Sequence, residues 1–267
     1  MDFWFTRGLS FLPIFVIVWT YLTFTISYII SVSRGDVDPG FPYISDTGAR
    51  RPESSIFGQM LNITAGFALA CLYVRYKQVE SFLIKLSDHD VRKVYRVNKI
   101  SWYFGIAISL GMSLVANFQE TSVLGVHLFG ALLTFGGGTV YEFMQTYITY
   151  KMHPEVNGLV VAHVRLGISI LSVVFITTTF IASSIAQVPV KFHWAPEDHG
   201  YAAHLASTIA EWLLAATFLS YFYTFIRDFQ VITMDVEPNN RCDNLHHSIN
   251  GAIPVQSHQE ERTPLIA

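Results

Sequence analysis

"VVAHVRLGISILSVVFITTTFIASSI" (160–185) carries its ionisable groups, His163 and Arg165, only near its start, and the rest is apolar with scattered Ser and Thr. A helix of this length crosses the roughly 30 Å of bilayer hydrocarbon, which takes about 20 residues. Five further stretches pass the same test, at about 9–32, 56–75, 99–118, 123–146 and 204–226. The chain as a whole is 51% hydrophobic and only 14% charged, with a mean hydropathy of +0.38. Soluble domains carry about a quarter of their residues charged. The sequence therefore predicts an all-α integral membrane protein, a bundle of six transmembrane helices. The first run is too long for a signal-peptide core and lacks a small-x-small cleavage site, so it reads as a retained span.

Lys and Arg set the orientation. The 76–98 connection and its borders hold Arg75, Lys77, Lys85, Arg92, Lys93, Arg96 and Lys99; Lys151 and Arg165 border the connection between spans four and five, and Arg227 begins the tail. The other side has Arg34, Arg50, Arg51 and Lys191. Both termini are expected in the cytosol, with residues 1–230 as the transmembrane domain and 231–267 as a polar, aperiodic, disordered tail. Within 76–98, Val79, Phe82, Leu83 and Leu86 follow helical spacing before a break at Ser87-Asp88-His89-Asp90. A helix lying on anionic lipid and a hairpin formed by extension of spans two and three both fit.

Composition excludes several functions. A net charge of −3 gives no field for nucleic acid. Cys71, in an apolar run, and Cys242, in the tail, make no disulfide framework or CxxC motif. HExxH, GxSxG and P-loop patterns are absent. Asp46-Thr47-Gly48 repeats the aspartic-protease triplet, but that chemistry needs two carboxylates sharing a proton between two lobes, which one short loop does not supply. Arg34-Gly35-Asp36 is a common tripeptide at a membrane boundary. His193, Glu197, Asp198, His199 and His204 are metal-ligand types without metal-site spacing. No catalytic residue, cofactor or metal is expected, and the chain does not read as an enzyme.

Ionisable groups inside spans are costly and normally face a partner or a wet cavity. His127, Glu142 and Glu211 stand out. His204, Thr208 and Glu211 share one helical face, a polar stripe descending from the luminal end, and His127 lies at the depth to join it. Such a cluster could fasten helices, sense protons or a ligand, or line a transport path. Asn62 and Asn117 read as interhelical hydrogen-bonding groups, and Gly125, Gly130, Ala131 and Gly136-Gly137-Gly138 as close-packing positions in span four, with a kink at the triple glycine as the alternative.

The luminal loops make the sequence specific. "DPGFPYISDTG" (38–48), "FGQMLNI" (57–63), "YVRYKQV" (73–79), "VANFQ" (115–119), "HWAPEDHGY" (193–201), "AEW" (210–212) and "IRDFQ" (226–230), in this order, resemble the damage-regulated autophagy modulator family, and its second paralogue most. The resemblance implies a six-span protein of lysosomal and late endosomal membranes that promotes autophagy, with links to stress-induced cell death and no established catalytic residues. Relatives in the wider superfamily, tied to phosphoinositide signalling and lipid asymmetry, keep a lipid-related role open. It implies as partners membrane lipids and autophagy or lysosomal membrane proteins, with nucleic acid excluded. The competing reading is a lysosomal transporter or channel for a small solute, protons or lipid. The segments holding Pro42, Tyr43, Asp46 and Gly48 and holding His193, Trp194, Glu197 and Asp198 are expected to fold together over the span ends. Tyr43, Trp194 and Tyr201 would lie at the interface, and Asp38, Asp46, Glu197 and Asp198 would be partly protonated at about pH 4.5 to 5.

In the tail, Glu261-Arg262-Thr263-Pro264-Leu265-Ile266 fits the acidic dileucine pattern [DE]xxxL[LI] that clathrin adaptors read in extended form. Glu261 meets a basic patch, Leu265 and Ile266 fill apolar pockets, and Pro264 stiffens the strand. The expected residence is the lysosomal or late endosomal membrane, with the plasma membrane in transit.

Overall fold

The structure, a computed structural model, describes residues 8–84, 88–186 and 192–232. All lie in one compact unit ending at Thr233; the second unit, Met234–Ala267, lies outside the described residues, and so do the tail and its sorting motif. Helices α1 (Phe11–Arg34), α2 (Glu53–Leu83), α3 (Asp88–Asn117), α4 (Glu120–Ala131), α5 (Gly137–Lys151), α6 (Leu159–Ala186) and α7 (Tyr201–Phe229) carry the chain. Helices α4 and α5 are one span joined by a π-helical stretch at Leu132–Gly136, which makes six helices long and apolar enough to cross a membrane. No strand occurs among the described residues.

Each span packs on its sequence neighbours, and α1 closes onto α7, so the six form a ring in chain order. Short connections join α2 to α3 and α3 to α4, which favours antiparallel packing of those neighbours. Leu9 N–H donates to Phe229 O at 3.0 Å, tying the start of α1 to the end of α7. The side chains run opposite to those of a soluble bundle. Val18, Ile29, Leu128, Ile170 and Ile181 face outward, while Ser27, Thr146, Ser169, Ser172 and Ser207 are buried. Lipid is as apolar as leucine, so close packing and interhelical hydrogen bonds join such helices rather than a hydrophobic drive. Asn62 Nδ2 accordingly donates to Asn117 Oδ1 at 3.1 Å, linking α2 to α3.

The helices outrun their apolar runs. Span two begins near 53 rather than 56 and continues to 83 rather than 75. Its polar extension is hairpin, not surface helix: Val79 and Phe82 are buried with Val94, Ile148 and Met152 in one cluster. In span four the small residues both pack and bend the chain. A Cβ on Gly111 would stand 2.6 Å from Gly130 O, so α3 and α4 cross in backbone contact there. The π-helical stretch, which ends on the first glycine of the triplet, Gly136, then shifts the register of the helix from that of its first half.

Candidate functional site

Residues 35–52 fold inward at one end of the ring rather than passing over it. Gly35, left-handed at φ 71, closes α1, and Phe41 takes the uncommon φ of 53 as the chain turns inward. Tyr28 and Trp212 then hold two successive turns of the loop, donating to Pro39 O at 2.8 Å and Pro42 O at 2.9 Å. Tyr43 shares a hydrogen bond with Ser207. Ile44 N–H donates to Glu211 Oε2 at 2.7 Å, and Ser45 Oγ to Glu120 Oε2 at 3.2 Å. Thr47 Oγ1 lies 2.9 Å from Ser27 Oγ and donates to Ile44 O. Gly48 sits against Phe57, where an added Cβ would fall 2.5 Å from the ring. Buried backbone demands partners, and α1 and α7 supply them, while α4 holds the Ser45 side chain.

The Asp46-Thr47-Gly48 turn is buried, and Asp46 does find a second carboxyl: Glu120 lies beside it, with Glu211 also close. Sequence reasoning set the triplet aside for want of a second carboxylate and a second lobe; Glu120 is 74 positions away across two spans. Burial, and then the Glu120 carboxyl beside it, pushes Asp46 well above the ordinary aspartate value of 3.8. Burial likewise pushes the Tyr43 hydroxyl up to about 12, so it stays a phenol. At the rim, by contrast, Asp36 pairs with Arg50 at 2.9 Å and Arg34 at 3.1 Å, which hold its carboxyl below the usual range.

The second loop docks on the first through Asp38, which faces His193 Nδ1 at 3.0 Å and accepts from Trp194 N–H at 2.8 Å. Trp194 stacks on His204 with centroids 4.2 Å apart, and Tyr43 meets the same imidazole edge-on at 5.3 Å. His204 is thus an aromatic joint between the loops. Asp198 accepts from Ala195 N–H and shapes the turn, whereas Glu197 is exposed. Gly200, at φ 85, starts α7, and a Cβ there would strike Ala186 O at 2.9 Å. Among the described residues no group of three His, Cys, Asp or Glu is placed to hold a metal.

Beneath the inward-folded loop lies a cavity of about 120 Å³, lined by all but α6 of the spans. Ile44, Ser45, Glu211 and His127 form its polar end; Phe57, Ile108 and Phe222 are among its apolar walls. Glu211 and His127 therefore meet in one space. Thr208, fully buried, instead donates to Leu205 O and takes no place in that wall.

The opposite end holds a cluster that the sequence reading missed. Arg75 and Arg165, counted there as loop borders, are completely buried helix residues. Both bind Asp228 Oδ2, Arg165 at 2.7 Å and Arg75 at 3.2 Å. Gln145 accepts from Arg75 Nε at 3.0 Å, Thr149 from Arg165 Nη1 at 2.6 Å and Thr224 from Arg165 Nε at 2.8 Å. Both guanidinium groups lie over the Phe225 ring, at 5.3 and 4.8 Å. The signal available was an arginine at an inward helical position beside buried apolar residues, such as Leu72 and Val79 one turn either side of Arg75.

Residues 8–232 match the family model described as Frag1/DRAM/Sfk1/Cwh43P N-terminal domain. The chain belongs to this family. Within it, the chain is 42% identical over 271 residues to DNA damage-regulated autophagy modulator protein 2 of Rattus norvegicus, covering 99% of this chain and 98% of that protein. The protein of the same name from Homo sapiens is 43% identical, covering 88% and 90%. DNA damage-regulated autophagy modulator protein 1 of Homo sapiens is 40% identical, covering 87% and 95%. No solved structure matches. The matched stretch, 8–232, takes in both loops, the carboxyl pair and the arginine cluster, so all of them lie inside the Frag1/DRAM domain.

Proposed function

We propose that this chain modulates autophagy as a non-enzymatic regulator in lysosomal and late endosomal membranes, recruiting or tuning other proteins through its basic face and tail. Its similarity, over nearly the whole chain, to proteins named autophagy modulators carries this reading. In the proposed orientation both termini are cytosolic and the folded loops face the lumen. Clathrin adaptors reading Glu261, Leu265 and Ile266 deliver the protein, by way of the plasma membrane for part of it. The test is replacement in cells lacking the protein. Intact chain restores lysosomal turnover of an autophagic cargo, and the Leu265→Ala, Ile266→Ala variant accumulates at the cell surface and restores less. Unchanged lysosomal residence of the variant removes the sorting role; full cargo turnover without any form of the protein removes the autophagy role.

A second reading, passage of a small solute or lipid, is favoured by the cavity beside Glu211. It requires pH-dependent flux from proteoliposomes that Glu211→Gln abolishes. Tyr141, Tyr221 and Phe225 are buried together in the core cluster that Ile108 shares with the cavity wall, and this packing favours the regulator.

A further inference from the structure

The cavity under the loop has an uneven chemistry. Thr20, Thr64 and Thr134 line it, and each donates its hydroxyl proton to the carbonyl one turn back in its own helix, at 2.6, 3.2 and 2.9 Å. Ser45 Oγ donates to Glu120, and Ile44 N–H to Glu211. His127, only 6% exposed, faces Phe118 O through Nδ1 at 2.8 Å. With Nδ1 as the donor to that carbonyl, Nε2 is an acceptor, and no partner reaches it among the described residues. Glu211 receives one hydrogen bond among the described residues, on Oε2. The wall's donors are engaged, and what it still offers is acceptors.

Glu211 lines the cavity, and no Lys or Arg lines the space. Buried acceptors without donors are costly until something supplies a proton. The remaining walls are apolar, and the volume of about 120 Å³ is slightly less than that of an engineered cavity, about 150 Å³, that holds one benzene ring.

We propose that this cavity is a binding site for a small lipophilic amine, whose ammonium group donates to Glu211 and to His127 Nε2 while a short alkyl body fills the space among Phe57, Ile108 and Phe222. Ile44 and Ser45 are at once part of the cavity wall and part of the inward-folded loop, so an occupant touches the segment that closes this end of the bundle. The site is independent of the sorting tail and of the regulator reading.

The test uses full-length protein in nanodiscs of neutral phospholipid, with n-butylamine as probe, n-pentane as the body of the same length without the amine, and empty nanodiscs as baseline. Thermal shift and saturation-transfer NMR read binding. Saturable binding of n-butylamine, weakened at least about tenfold in Glu211→Gln and at least about tenfold stronger than that of n-pentane, is expected. Glu211→Gln keeps an acceptor for Ile44 N–H; should it nonetheless lose its helical circular dichroism, Ala131→Leu, which fills the cavity from α4, is expected to abolish binding instead. Equal binding of n-pentane and the amine, equal binding by either folded variant and the parent, or no saturable binding overturns the proposal.

Discussion

At one end of the bundle two arginines share one aspartate; at the other an aspartate meets a glutamate with a second glutamate close by. Both clusters are buried, and each leaves an excess of one sign of charge by formal count. Arg75 and Arg165 cannot shed their charge, so they are surrounded by Gln145, Thr149, Thr224 and the face of Phe225, and the cluster is fixed at any physiological pH. Burial and Glu120 hold the Asp46 carboxyl well above its ordinary value, so the opposite cluster responds to pH. The arginine end is a permanent fastening across α2, α5, α6 and α7, and the carboxyl end is a conditional one.

Breaking the permanent fastening has the largest effect. Asp228→Ala strands two buried guanidinium groups, and loss of one partner of a buried ion pair costs about 3–5 kcal/mol. Thermal unfolding in detergent is expected to show the steepest fall in stability there; a small change would mean that the arginines find other acceptors. Next comes the α3–α4 crossing. Gly111→Ala drives a methyl against Gly130 O, and overpacking of this kind costs about 1–3 kcal/mol. It leaves both charge clusters intact, so its loss of stability should not vary with pH.

The conditional fastening responds to pH with a defined sign. The folded chain keeps a proton on Asp46 that the unfolded chain releases above the ordinary value of 3.8. This contribution is complete below that value and is lost as pH rises through the raised value of the folded state. Melting curves should therefore show greater stability in acid and a decline toward neutrality, with a slope of at most about 1.4 kcal/mol per pH unit for one proton. Asp46→Asn, which keeps a donor for Glu120, should flatten the decline; an unaltered slope would place the titrating group elsewhere. Least affected is the rim. Arg50→Ala removes an exposed partner of Asp36, and pairs of that kind contribute about 1 kcal/mol or less.

The six spans were legible because hydrocarbon imposes a length and an apolarity on any helix that crosses it. The span ends were less so, since helix continues past the apolar run wherever a neighbouring helix supplies packing, as it does for Val79 and Phe82. Glu211 and His127 drew attention as ionisable residues within apolar sequence, and they do face one cavity. Arg75 and Arg165 did not, because near a span end an arginine that reaches water and one turned into the core have the same local sequence. Asp46 and Glu120 were harder still: a loop that dives into a bundle leaves no periodicity, and their proximity exists only once α2 and α3 have returned the chain to the same end.

Cys71 has no exposed surface and lies in the apolar cluster with Leu72, Ile108 and Tyr221, between the two charged ends. A thiol so placed is a clock. Its alkylation proceeds no faster than the helices part around it, so the rate at which a small maleimide reaches Cys71 in a Cys242→Ser background measures how often the ring opens. Measured in acid and at neutral pH, and divided by the rate of a free thiol at the same pH, that rate distinguishes opening that follows the carboxyl end from opening that does not.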